Sequence, residues 1–82
     1  MTNHDLIVKY ASNPQAQARA NNLCCTDGTL HSYAEPIARY RDGVFTVSRK
    51  KWSVTTTRHV NTLLGILPQR GQAYSITQER LI

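Results

Sequence analysis

Acidic residues are scarce in this chain: five Asp and Glu stand against ten Lys and Arg, for a formal net charge of +5 over 82 residues. Asp27 and Asp42 each precede a glycine in a turn-like dipeptide, which leaves Asp5, Glu35 and Glu79 scattered. No carboxylate cluster remains to hold magnesium, so metal-dependent nuclease chemistry is disfavoured. Cysteine is equally thin. Cys24 and Cys25 are the only two and are adjacent; on a strand they point to opposite faces, which suits an internal disulfide poorly. They also lack the C-x-x-C spacing of a zinc site, so a reduced, structural pair is expected, with no metal and no cofactor. The four glycines form no phosphate-cradling loop. No apolar run approaches the roughly 18–20 residues that span a membrane. The opening MTNHDLIVKY has neither the basic start nor the long apolar stretch of a signal peptide, and a cytosolic location is the expectation.

What is present suits one small domain. A chain of this length buries a modest share of its surface, which argues against a large enclosed substrate pocket. Hydrophobic content of 40% argues against wholesale disorder. The basic balance favours a polyanionic partner, nucleic acid or a nucleoprotein.

Two Asp-Gly pairs organise the middle of the chain. This dipeptide tolerates the positive φ angles of tight hairpins, and strands are expected at 23–26, 29–34, 37–41 and 44–49, with Pro36 breaking or bending the chain between the second and third. A two-residue loop at Asp42-Gly43 sets Arg41 opposite Val44, Tyr40 opposite Phe45, Arg39 opposite Thr46 and Ala38 opposite Val47. Ala38, Tyr40, Phe45 and Val47 then share an apolar face, and Arg39, Arg41, Thr46 and Ser48 a basic one, continued by Lys50 if the strand runs on. Beyond Trp52 the period changes to that of a helix. Val60, Leu63, Leu64 and Leu67 form one stripe over a helix near 56–67, capped by Thr55, Thr56 or Thr57 and stopped by Pro68.

The expected fold is therefore α+β: an antiparallel sheet of three to four strands packed on one main helix. Residues 23–67 make the sheet-plus-helix core. Segment 1–22 is helical or irregular. Asn3-His4-Asp5 can open a short helix carrying Leu6, Ile7 and Tyr10, and Asn13-Pro14 either starts a second helix reaching Ala20 or leads into an ordered loop. In the tail, 68–82, Ser75 and Gln78 fit a capping box before Ile76, Leu81 and Ile82, while Tyr74 and Ile76 fit strand alternation equally well.

Three constellations bear on chemistry. At the expected helix start, Ser53, Thr55 and Thr56 can add hydroxyls to unpaired backbone N–H groups, with Lys50, Lys51 and Arg58 supplying charge for a phosphate or carboxylate; the same residues can be ordinary capping chemistry. On the basic hairpin face, Arg39 and Arg41 can follow a phosphate backbone, with Trp52 either a stacking platform or core. His31 and His59 with Lys50 or Lys51 can be cast as a metal-independent ribonuclease, although nothing in their spacing requires it.

One resemblance rests on particular residues. Ser32, Tyr33, Pro36, Ile37 and Ala38, followed by Trp52, Ser53, Thr55, Thr56 and His59, match a Ser-Tyr-x-x-Pro-Ile-Ala strand and a Trp/Tyr-Ser-x-Thr-Thr-x-x-His helix start. Over 30–64 the chain thereby resembles a group of small phage-encoded proteins without an assigned activity. The resemblance implies phage origin and action in the host cytoplasm by binding host machinery, as anti-CRISPR inhibitors of this size do. Many such inhibitors are acidic DNA mimics, a mechanism that a basic chain fits poorly. The leading expectation is a non-catalytic binding protein whose Arg39, Arg41, Lys50, Lys51, Trp52 and Arg58 engage an anionic partner, with Ser53, Thr55 and Thr56 orienting a phosphate or carboxylate. A ribonuclease and a structural or homo-oligomeric phage component are the alternatives.

Overall fold

A computed structural model describes residues 1–81, so Ile82 and its part in the tail's two readings lie outside the described residues. The chain opens with helix α1, Asn3–Ser12. Thr2 caps it by accepting from the Asp5 N–H at 3.0 Å while the Asp5 carboxylate reaches back to the Thr2 N–H, a reciprocal capping box. Leu6, Ile7, Tyr10 and Ala11 form its buried face.

No helix follows Pro14. The chain turns and runs into a two-residue strand β1, Ala18–Arg19, paired with β2, Leu23–Thr26. The Ala/Gln stretch has too weak an apolar stripe to bury a helix face, and the β2 edge offers its backbone partners instead. Strands β3 (Thr29–Ser32), β4 (Glu35–Arg41) and β5 (Val44–Ser48) continue the antiparallel meander. Helix α2, Val54–Gln69, then carries the chain back to β6, Tyr74–Thr77, which pairs in parallel with β5. The sheet thus has six strands in sequential order, larger than the three to four expected, and it is mixed rather than purely antiparallel. The additional strands are its edges: β1, in place of a second helix or loop, and β6, which takes the strand alternative of the tail.

Register at the Asp42-Gly43 hairpin is the one expected, from Ala38↔Val47 to Arg41↔Val44. Both Asp-Gly turns place two successive residues at positive φ, as two-residue hairpins require. A third turn does the same with unsuitable residues. Tyr33 (φ 52) and Ala34 (φ 70) join Ser32 to Glu35, so β3 ends two residues short of the expected 34. Left-handed geometry costs a residue with a Cβ about 1 kcal/mol or more. Pro36 lies within β4, opposite His31, beside a register shift that leaves Ile37 without a β3 partner between Pro36 and Ala38. A bulge of this kind explains how an interior strand holds a proline, and why Ile37 and Ala38 are both fully buried where strict alternation forbids it.

Both helices pack against the same face of the sheet. Leu23, Cys25, Leu30, Phe45 and Val47 meet Leu6, Ile7, Tyr10, Val60, Leu63 and Leu67 in one core. Cys24, pointing the other way, is half-buried, as adjacent strand positions dictate. Tyr10 ties the layers together: its ring meets Phe45 edge-on at 5.4 Å, and its hydroxyl donates to the Gly28 carbonyl at 2.7 Å.

Helix α2 starts earlier than expected, with Ser53 rather than a threonine as N-cap, its Oγ accepting from the Thr56 N–H. Pro68 does not stop it. A proline in the last turn costs one hydrogen bond, and the end is closed by Gly71 N–H to the Pro68 carbonyl and Gln72 N–H to the Leu67 carbonyl. The tail forms a strand, because β5 offers partners that a four-residue helix start cannot match: Phe45 N–H donates to Ala73 and Arg49 N–H to Thr77.

The two Asp-Gly turns differ in surroundings, which yields a prediction. A Cβ on Gly28 lands 3.0 Å from the Tyr40 carbonyl oxygen, whereas one on Gly43 meets nothing. Gly43→Ala should destabilise by about 1 kcal/mol from backbone conformation alone. Gly28→Ala should cost about 2–3 kcal/mol, since it adds a steric conflict with fixed backbone. Urea unfolding of the pair measures the difference, and equal losses contradict the close approach.

Candidate functional site

The expected basic residues fall into two groups. Arg39 and Arg41 lie on the sheet face opposite the helices, Arg39 half-buried and Arg41 exposed near the hairpin tip. Lys50, Lys51 and Arg58 lie beyond the other end of β5, whose five residues separate the groups by roughly 15 Å at the rise of a strand. The strand ends at Ser48, so Lys50 does not continue the Arg39–Arg41 face. Ser48 is also a correction. Though it has the parity of the basic face, it is fully buried, and its hydroxyl donates to the Glu79 carbonyl at 2.7 Å under the C-terminal segment.

Pairing across that outer face makes one continuous row: Thr26, Thr29, Arg39, Thr46 and Ser75 are successive partners from β2 to β6. The row carries four hydroxyls and one guanidinium, with no acid. A second row sets Arg19, Cys24, His31 and Pro36 beside it. Among the described residues, no helix packs on this face.

The residues expected to form an anion site at the helix start do not act together. Ser53 is the cap, and Thr55 is exposed. Thr56 is buried and turns inward, its Oγ1 lying 3.1 Å from the Ser32 Oγ. Trp52 is half-buried against the core; its indole N–H donates to the Ser48 carbonyl at 3.0 Å, and the Lys50 ammonium sits 4.4 Å from its ring centre. The surplus of threonines is therefore partly structural.

The residues that do converge were not grouped by the sequence reading. Ser32, fully buried at the end of β3, lies 3.1 Å from both Thr56 Oγ1 and His59 Nδ1. On the far side of the ring, His59 Nε2 faces Asn3 Nδ2 at 3.5 Å, and Asn3 Oδ1 accepts from the Asn22 N–H at 3.4 Å. Three segments that the resemblance and the N-terminus supply separately thus meet at one polar node. A signal for it was in the sequence: Thr56, His59, Val60, Leu63 and Leu67 share one helical stripe, which extends the apolar stripe backward by one turn.

Hydrogen-bond logic fixes what this node can do. With Asn3 Oδ1 engaged by Asn22, the amide NH2 faces His59 Nε2, which must therefore accept. The imidazole proton then sits on Nδ1 and donates to Ser32 Oγ, leaving the Ser32 hydroxyl to donate to Thr56. In that arrangement His59 cannot withdraw a proton from Ser32. A serine hydroxyl with no exposure is also closed to substrate, so the geometry is that of a structural clamp rather than a nucleophile–base pair. Nor can His59 partner His31, because His31 alternates with Leu30 and Ser32 and lies on the opposite side of the sheet.

The chain belongs to DUF8033, a family of unknown function, whose model matches residues 6–79. No curated protein and no solved structure matches it.

Burial holds the His59 imidazole below its usual range, and protonating Nε2 would oppose it to the Asn3 amide donor. The unfolded chain then binds a proton that the folded chain refuses. The contribution of His59 to stability is level above about pH 6.5 and is lost as pH drops below that value, until the folded group itself titrates. Urea midpoints from about pH 8 to about pH 5 should decline accordingly, and less steeply in His59→Gln. A wild-type midpoint constant over that range contradicts the clamp.

Proposed function

We propose that this chain is a non-catalytic binding protein that uses the helix-free face of its sheet to engage the phosphates of a nucleic acid, alone or within a nucleoprotein. The observation that carries the reading is the outer row of Thr26, Thr29, Arg39, Thr46 and Ser75, with Arg41 and Arg19 beside it and no acid among them. Guanidinium and hydroxyl donors on a firm sheet suit phosphate oxygens, which supply affinity more than sequence preference. The net charge of +5 favours encounter with such a partner. Lys50, Lys51 and Arg58 form a second cationic group at the far end of β5, within reach of the same extended polyanion. The likeness of the 32–38 and 52–59 segments to small phage-encoded proteins extends the proposal to its setting: a host-defence nucleoprotein, such as a CRISPR–Cas effector, met in the host cytoplasm.

Gel-shift titrations at two salt concentrations test this reading. Arg39→Glu/Arg41→Glu should weaken binding by at least about 10-fold and lower the salt dependence by roughly two phosphate contacts. Wild-type affinity in that variant, or no affinity in the parent chain, rejects the sheet face.

A second reading, a homo-oligomeric component, draws on β6. This strand is a sheet edge, and it exposes Tyr74 (39%) and Ile76 (47%), an arrangement that invites pairing with another copy. Light scattering across a concentration series should then show a dimer that Ile76→Lys dissolves. A monomer at all concentrations removes this reading.

A further inference from the structure

At the β1–β2 edge lies an open groove of about 260 Å3, lined by Arg19, Asn21, Asn22, Cys24, Tyr33 and Ala34 among others. The clamp touches it through the Asn22 backbone N–H, and Arg19 links it to the phosphate row. Three observations point to its occupant.

The first is the turn that forms one wall. Tyr33 and Ala34 are both held at positive φ, in a two-residue hairpin loop that Asn-Gly would adopt without strain. Tyr33 gains little packing in return, for it is 56% exposed, the most exposed aromatic among the described residues. Strain maintained around a side chain that faces solvent is a mark of use rather than of stability. The second is the availability of the ring. Trp52, the aromatic expected to stack, has Lys50 over its ring and its N–H engaged, whereas Tyr33 stands beside a groove. The third is the groove's chemistry. Its sole charged residue is Arg19 and it contains no acid, while Asn21 and Asn22 bring side-chain amides that both donate and accept. Arg19 pairs with Cys24 on the outer face, so this wall of the groove borders the phosphate row.

We propose that this groove is the docking site for an unpaired nucleobase of a single-stranded nucleic acid. The Tyr33 ring stacks on the base, Arg19 takes an adjoining phosphate, and the Asn21 and Asn22 amides bond the base edge. Asn22 is well placed for this, since its backbone is already fixed by the Asn3 side chain and by the Tyr33 N–H. The proposal rests on the sheet-face reading and sharpens it: a duplex keeps its bases stacked and has none to offer, so the chain prefers single strands.

Fluorescence anisotropy with a labelled single-stranded RNA and its duplex form tests both levels. The decisive variant is Tyr33→Asn/Ala34→Gly, which removes the ring while installing residues suited to the turn, so that its melting temperature rises. The expected result is a loss of about 5- to 50-fold in single-strand affinity, with the preference over duplex abolished. Tyr33→Phe keeps the stacking surface and should bind as the parent chain does. If the parent binds single strands and the double variant binds equally well, the groove is overturned while the sheet face stands. If the parent binds neither form of RNA nor the same sequences as DNA, or binds only an acidic protein, groove and sheet face fall together.

Discussion

A serine hydroxyl with no exposure to water must find partners inside the protein, and the partners of Ser32 set the geometry of most of what surrounds it. Thr56 and His59 reach it from the first two turns of α2, which fixes the rotation of that helix and thereby aims Val60, Leu63 and Leu67 at the core. His59 in turn needs a donor at Nε2, and Asn3 supplies one from the first turn of α1. One buried oxygen therefore couples β3, α2 and α1. The same node explains why Ser53 rather than a threonine caps α2. Thr56 turns its hydroxyl to Ser32 and so cannot cap, and its own N–H is the one from which Ser53 Oγ accepts.

Placing both helices on one side leaves the other side of the sheet to its own side chains. Alternation along β2 to β5 then sends Leu, Cys25, Phe and Val inward and Thr and Arg outward. A face of short hydroxyls and guanidinium groups can remain in water without cost. At the C-terminal end of β5 the tail covers part of this face: Ser48 lies beneath Glu79, and Arg80 forms an exposed ion pair with Glu35 at 3.1 Å. Such a pair contributes little stability.

The parts of this fold legible in the sequence are those governed by local rules. The Asp42-Gly43 register, the inward set of Ala38, Tyr40, Phe45 and Val47, and the α1 and α2 stripes follow from turn chemistry and periodicity. What escaped depended on distant partners. β6 forms because β5 has a free edge after α2 returns the chain, and nothing in YSIT distinguishes that outcome from a helix start. β1 is two residues held by β2. The Tyr33-Ala34 turn has none of the usual turn residues, so the run from Thr29 reads as one continuous strand. At the candidate site, Arg39, Arg41 and Thr46 were legible as one face, but Ser48 was not, since its cover comes from residues far along the chain. The polar node escaped because a histidine and a threonine on an apolar stripe read as surface until a buried serine appears opposite them.

That node also bears on how a strained turn persists. A left-handed tyrosine followed by a left-handed alanine survives only where both sides are over-determined. On one side, Ser32 is held by two side chains from α2. On the other, the Tyr33 N–H donates to the Asn22 carbonyl at 3.0 Å, and Asn22 is itself bound to Asn3. Asn3 therefore serves both flanks, bonding His59 through its amide nitrogen and Asn22 through its oxygen. The buried clamp and the exposed ring are adjacent in sequence for a physical reason: the first supplies the rigidity that the second requires. A serine-tyrosine pair, one residue with no exposure and the next exposed over half its surface, is how this chain converts core stability into a fixed surface conformation.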